Sequence, residues 1–485
     1  MQCIPSPFAF NREVLQRDYR LSCDVHFHPE LVLQQTQELK FPMHNLKRSP
    51  VKLSLIPILV ALTLNNTGSV ALAGGFTLNE QSVKGLGNAF AGSAATADDA
   101  STIFFNPAGL TRLPDNSFFG ASYVIFPRII FQNQGSNTVT GVPLSGGNGG
   151  EAGVDIIVPN LYAAWSVSDR LKLGVGINVP FGLASKYDSN WVGRYQAVES
   201  KLTTININPT VAAKLSNNFS IGAGLNIQYA QATLSNAINF GLIGQSVGLP
   251  LQSQQADGFV KVTGSDWSVG YNLGVMYEPS KSTRIGLSYR SPITQDIRGD
   301  ADFTVPVSAR ALTARGQFTD TGANAVLNLP DNLSLAIYHQ LNPRLAIVGD
   351  VTWTNWSRFQ ELRVKFDNPV QADTVQPENW HDTYRFGVGV NYALSNRLTL
   401  RTGITYDPSP VDEEFNTPRL PGGDRTLIGL GASYRPSKSF NFDIGYTHVF
   451  VDDSDINQSS TTAGTLKGNF EGSVDIVGLQ LSWEF

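Results

Sequence analysis

Cysteine is almost missing from this chain, and where the two copies fall matters: Cys3 and Cys23 lie near the amino end, and the remaining residues to Phe485 carry none. A disulfide framework or cysteine metal site in the body of the protein is thereby excluded. Cys23, His26 and His28 have ligand-like spacing but sit upstream of an export signal described below. Long apolar runs are also lacking: past residue 73 no stretch of about 18 apolar residues occurs, so no spanning helix is expected. Excess positive charge is absent too, with a net charge of -5, and nothing in it attracts nucleic acid. No G-x-S-x-G elbow or acid/base pair accompanies the scattered His339, His381 and His448, and Asp452, Asp453 and Asp455 lack the glycine and terminal glutamate of a calcium loop. No enzyme, metal or cofactor is expected.

What the chain does have is alternation. Val477, Leu479, Leu481, Trp483 and Phe485 alternate with Gly478, Gln480, Ser482 and Glu484. The same period of two runs through Leu171 to Val179, Trp267 to Tyr277 and Tyr384 to Tyr392, with Gly, Ser, Asn and Lys or Arg between the apolar residues. Apolar residues facing lipid, and small or polar ones facing a lumen, are the signature of a transmembrane barrel. The mean hydropathy of -0.10 and the 45 glycines and 27 phenylalanines fit this.

Met43 is followed by Lys47, Arg48 and Lys52, the apolar stretch from Leu53 to Leu64, and Ala71-Leu72-Ala73. This is a secretory signal with an A-x-A cleavage site. Residues 43–73 are therefore expected to be a signal peptide, and residues 1–42 an upstream extension from a mis-assigned start.

Fourteen strands are expected, near 117–125, 159–168, 171–180, 203–215, 219–231, 265–278, 282–292, 325–340, 343–356, 381–393, 396–407, 424–435, 438–450 and 472–485. Tight turns such as Ser216-Asn217-Asn218 alternate with long segments at 126–158, 232–264, 293–324 and 451–471. Short turns belong to the periplasmic side and long loops to the outside. Residues 74–116 lack strand alternation and are rich in Gly and Ala. They are expected to form a compact plug, with residues 117–485 as the barrel. A dinucleotide loop at Gly85-Leu86-Gly87 is disfavoured because Phe90 takes the third glycine's place.

The opening Gly75-Phe76-Thr77-Leu78-Asn79-Glu80, the tripeptide Asn106-Pro107-Ala108, Trp353 to Gln360 and Arg401 to Val411 resemble the FadL family of outer-membrane transporters. Its members carry long-chain fatty acids and, in the TodX branch, aromatic hydrocarbons. The resemblance spans essentially residues 74–485. It implies an all-β, 14-stranded antiparallel transmembrane barrel with a small N-terminal hatch in the lumen, in which Asn106, Pro107 and Ala108 are the hatch motif. Phe76 and Leu78 resemble the segment that borders the family's ligand pocket and shifts when ligand binds.

Strand three ends Asn178-Val179-Pro180-Phe181-Gly182-Leu183. Proline donates no ladder hydrogen bond and glycine allows a sharp bend, so Pro180 either kinks the strand or ends it. In the family a kinked third strand forms a lateral exit to the outer leaflet, which implies a lateral opening at Pro180, Phe181 and Gly182. Arg363 matches a basic position near the family's headgroup pocket, with an ordinary rim arginine as the alternative. A second basic position falls at Asn236. Ile238, Phe240, Leu242, Ile243, Val247, Leu249 and Leu251 read as either a capture surface or an apolar loop packed on the barrel mouth.

The expected protein is a monomeric outer-membrane importer of hydrophobic molecules, in contact with outer-membrane lipid and lipopolysaccharide. The C-terminal Phe485 is expected to meet the barrel-assembly machinery. A hydrocarbon channel, a hydrophilic porin and an adhesin are the alternatives. A porin would need charged constriction residues and no plug.

Overall fold

The computed structural model describes residues 74–114 and 116–485; the assignments for 1–42 and 43–73 lie outside them. Strands run in the order β1 Ser117–Asn133, β2 Ile156–Ser166, β3 Leu171–Asn178, β4 Gly182–Lys186, β5 Glu199–Ser216, β6 Phe219–Asn239, β7 Asp257–Ser280, β8 Thr283–Arg290, β9 Ile293–Thr304 and β10 Thr321–Leu329. They continue as β11 Asn332–Asn342, β12 Leu345–Thr354, β13 Glu361–Phe366, β14 Thr374–Pro377, β15 Thr383–Ala393, β16 Leu398–Asp407, β17 Arg425–Tyr434, β18 Phe440–Ser460 and β19 Gly464–Glu484.

Five pairs, β3/β4, β8/β9, β10/β11, β12/β13 and β14/β15, are broken halves of single staves. The nineteen strands thus form fourteen antiparallel staves in one sheet. β1 pairs with both β2 and β19, which closes the wall. Closure joins the first and last staves, the condition for strands to stand in a bilayer, while β4 keeps a ladder partner on one side only, β5.

The period of two does what it should. Val269, Tyr271, Leu273, Phe386, Val388, Leu479 and Leu481 point outward and are exposed. Two aromatic belts bound this surface. Trp165, Tyr392, Tyr434 and Trp483 lie toward the short-turn end, and Trp267, Tyr384, Tyr406 and Phe450 toward the other, as interfacial rings do. All fourteen expected strands occur, but several continue past the upper belt. The segment 451–471, expected as a loop, is a hairpin in which β18 and β19 remain paired from Ser454↔Phe470 to Ser460↔Gly464 after a register shift. Its sequence is polar because both faces leave the membrane, so the alternation that marks a strand in lipid disappears.

Residues 74–114 pack against inward-facing wall residues. They form short helical turns, Val83–Leu86, Ser93–Thr96, Thr102–Phe105 and Pro107–Arg112, too short to be stable alone. The wall supplies their missing partners: Thr447 Oγ1 donates to Leu86 O (2.8 Å), Thr405 Oγ1 to Ala89 O (2.7 Å) and Asn272 Nδ2 to Ile103 O (3.0 Å). The inner-face glycines make room for this. A Cβ on Gly274 would lie 2.0 Å from Asn106 Oδ1, and one on Gly403 would lie 2.1 Å from Asn88 O. These small residues read in the sequence as lumen lining; they are the bed on which the N-terminal backbone rests.

Candidate functional site

The break in the third stave is where wall and N-terminal segment meet. β3 pairs with β5 up to Asn178↔Asn206, and pairing resumes at Gly182↔Thr203. Three residues, Val179 to Phe181, thus oppose two. Pro180 interrupts the stave and does not end it. The ladder bonds lost there are replaced from two sides. On the wall, Phe181 N donates to Thr204 Oγ1 (3.0 Å), which donates to Phe181 O (2.6 Å). From inside, Leu78 N donates to Pro180 O and Gly182 N to Phe76 O, both at 2.9 Å, and Thr77 bridges Phe181. Residues 76–78 act as a short extra strand clasped onto the break.

The clasp carries Phe76 into an aromatic cluster. Its ring centroid lies 4.9 Å from Trp356, 5.6 Å from Phe359, 5.6 Å from Trp380 and 6.0 Å from Phe181. Leu202, Ile293, Leu329 and Leu420 complete the apolar wall. Gly75 makes the approach possible, with φ +69 and a Cβ position 2.0 Å from the Trp356 ring. Most of the lining comes from stave breaks: Trp356 and Phe359 fall between β12 and β13, Trp380 between β14 and β15, and Ile293 and Leu329 beside the breaks at Pro292 and Pro330. Each break re-aims the chain inward at the same level of the barrel. Phe76 is 2 % exposed, so the cluster is full.

Polar groups stand at its edge. Arg419, next to Leu420, is buried; its guanidinium donates to Ser200 Oγ (3.2 Å) and Asn236 Oδ1 (3.5 Å). Among the described residues no carboxylate reaches it within ion-pair distance. Burial pulls its pKa down to about 10, so it stays charged. Glu378, on the external side of the upper belt, is buried, accepts from Gln376 Nε2 at 2.7 Å, and is pushed up to about 7 by burial. It senses the Arg419 charge.

The other expected residues are placed as follows. Leu78 is buried in the clasp. Asn106 is buried: Nδ2 donates to Ala94 O (2.8 Å) and Val275 O (3.0 Å), while Oδ1 accepts from Ala108 N (3.1 Å). Pro107 then opens the turn, where its missing N–H costs nothing. Arg363 is not brought to the cluster. It lies on the outward face of β13, paired with Glu361 (2.7 Å) and Asp373 (3.3 Å). The guanidinium at the cluster is Arg419, and it meets Asn236, where the sequence had shown only the loss of a basic residue. Nothing in the sequence marks Arg419 or Glu378, because each sits in a connection whose place only the fold reveals. Of the apolar stretch after Asn236, Phe240 is buried against Phe318 (centroids 4.9 Å apart), and Val247 is exposed.

The family model described as outer membrane protein transport protein (OMPP1/FadL/TodX) matches residues 65–485. An outer-membrane protein of Neisseria meningitidis serogroup B is 32% identical over 85% of this chain and 95% of its own length. The long-chain fatty acid transport protein of Escherichia coli K12 is 30% identical over 88% and 97% respectively. Among solved structures, a FadL homologue from Pseudomonas aeruginosa superposes with a TM-score of 0.79 at 25% identity, over 85% of this chain and 100% of that one. The Pseudomonas putida toluene transporter TodX shares the fold, with a TM-score of 0.64 at 16% identity over 83% of this chain and 99% of its own. This chain belongs to the OMPP1/FadL/TodX family of outer-membrane transport proteins.

Proposed function

We propose that the protein imports hydrophobic molecules passively, holding them in the Phe76 cluster and releasing them sideways through the break at residues 179–181. The observation that carries this is the double role of the clasp: one short segment fills an apolar site and also mends the hole in the wall beside it. A ligand that displaces Phe76 therefore pulls away the backbone that seals Pro180. Ring-for-hydrocarbon exchange in a dry site changes little free energy, because the burial lost by Phe76, about 1.5–3 kcal/mol, is regained by the ligand. The freed gap opens on the lipid-facing surface, so an apolar cargo enters the bilayer without crossing polar lipopolysaccharide. Residues 74–114 serve as the hatch, with Asn106-Pro107-Ala108 at its base, and no energy source is needed.

Arg419 favours a carboxylate cargo. Among the described residues this buried, charged guanidinium is bonded to neutral oxygens alone, which suits it to an anionic headgroup held through two parallel hydrogen bonds. Long-chain fatty acids, the cargo named for the Escherichia coli relative, fit a ring-lined site with one cation at its edge. The aromatic lining itself supports a second reading, neutral aromatic hydrocarbons. In either case the protein would act as a monomer, with Phe485 on the closing stave as the contact for barrel assembly.

The test is uptake of labelled oleate, toluene and a small sugar by cells lacking their own hydrophobic importer, with the wild type and with Pro180→Val/Gly182→Val. The reading requires that the variant, folded by its heat-dependent gel mobility, lose uptake of the hydrophobic cargo. Normal uptake by a folded variant would end the lateral route, and sugar uptake without the others would indicate a porin.

A further inference from the structure

At the short-turn end of the barrel a cavity of about 260 Å³ is lined by Lys84, Arg397, Arg401 and Arg435, with Asp98, Thr399, Ser433 and Asn441. Its cations come from two bodies. Lys84 belongs to the N-terminal helical turn Val83–Leu86, and the arginines belong to the wall at β16, β17 and the turns beside them. The floor is fixed: Lys84 and Arg401 are buried, and Arg401 donates to the Ser433 hydroxyl.

The nearby acids are already engaged. Asp99 lies 3.4 Å from Lys84 and accepts from Gln480, Asp98 faces Arg284 at 3.7 Å, and Asp443 accepts from Ser433 and Asn441. The rim is different. Arg397 and Arg435 are exposed, and among the described residues neither guanidinium makes an ion pair or a side-chain hydrogen bond.

We propose that this cavity is a binding site for a small, multiply charged oxyanion, phosphate-like or carboxylate-like, on the periplasmic side. Asp99 and Asp443 offset the buried lysine and arginine of the floor, so the surplus positive charge is that of the two free rim arginines, planar forks of the kind that select oxyanions over chloride. The volume admits an anion larger than inorganic phosphate. Because Lys84 belongs to the N-terminal segment and the arginines to the wall, an occupant ties the two together. The site does not depend on which cargo the barrel carries.

Titration calorimetry on the full detergent-solubilised protein, with pyrophosphate and citrate as probes and glucose as control, decides the matter. Saturable binding of one or both anions is expected, weakened at least tenfold in Arg397→Ala/Arg435→Ala. These two exposed turn residues leave the barrel intact, which unchanged heat-dependent gel mobility verifies. A preference for pyrophosphate would assign phosphate chemistry, and a preference for citrate would assign carboxylate chemistry. Absence of binding by the wild type, or equal binding by the folded double variant, overturns the site.

Discussion

The two ends of the N-terminal segment are held by different physics. Residues 76–78 are held by rings and two backbone hydrogen bonds. Residues 83–112 add to an apolar core around Val83, Leu86, Phe90, Ile103 and Leu110 a set of buried and part-buried polar bonds to the wall: Val83 N to Gln480 Oε1 (2.9 Å), Asn88 Nδ2 to Thr402 O (2.9 Å), Gly92 N to Asp350 Oδ1 (2.8 Å) and Arg284 Nε to Ala95 O (3.0 Å). An apolar ligand can replace rings. It cannot replace those hydrogen bonds, and each buried group left unsatisfied costs about 1–3 kcal/mol. The upper end is therefore the part a hydrophobic cargo can move, and the lower end stays seated. That asymmetry favours a sideways exit at the clasp over passage straight down through the segment.

The most severe way to break the contrast is to unseat the lower end. Gly274→Val would drive side-chain carbons into Asn106 and Pro107, 2.0 and 2.8 Å from the new Cβ, where neither can retreat without losing buried hydrogen bonds. The wall should still fold, since valine suits a strand. Ion conductance in planar bilayers should rise roughly tenfold or more as the lumen opens. A folded variant that stays as silent as the wild type would show that the segment does not seal the lumen.

The opposite intervention empties the upper end. Phe76→Ala removes the ring that a ligand must displace while leaving the cage of Trp356, Phe359 and Trp380. Affinity for oleate or toluene should increase by roughly tenfold or more, given about 1.5–3 kcal/mol for a buried ring. Tighter binding would be read by quenching of tryptophan fluorescence. Weaker binding would mean that Phe76 is a wall of the pocket and not its occupant.

A third experiment separates the two arginines. Arg419→Met should weaken oleate binding about tenfold or more, on the scale of a lost charged hydrogen bond, and leave toluene binding nearly unchanged. Arg363→Met should alter neither, because its partners Glu361 and Asp373 lie on the outer face. The reverse ranking would restore Arg363 as the headgroup residue.

This last contrast marks where the sequence stops being legible. Period-two patterning sees only which face of a strand a residue takes. It found every stave in the membrane, since lipid on one side and a packed segment on the other impose alternation. It marked Pro180 as a kink or a strand end, since proline's missing donor fits either, and only the pairing of β5 on both sides of the gap decides for an interruption. The external hairpin after Val451 was invisible, as water on both faces removes the pattern. Arg363 looked suitable by motif, yet in β13 it shares the outward face with Glu361 and Lys365. Arg419 sits in an irregular connection, and only closure of the barrel carries it to Ser200 and Asn236, more than 180 residues away.

The smallest effect concerns Glu378, and its direction follows from the raised carboxyl. With a folded pKa of about 7, Glu378 is neutral below that pH and negative above it. Its charge then faces Arg419 and competes with a cargo carboxylate. Oleate affinity should hold steady below pH 7 and fall as pH rises toward 9. The limit is about tenfold per pH unit if one proton is taken up per ligand bound. Partial coupling makes the fall shallower. Glu378→Gln keeps the shape and the Gln376 contact but removes the charge, so its affinity should be flat across this range and equal the wild type only on the acidic side. Toluene, having no charge to repel, should show no such slope with either protein. A pH-dependent toluene affinity would mean that ionisation of Glu378 reshapes the aromatic cage and does not act on the headgroup.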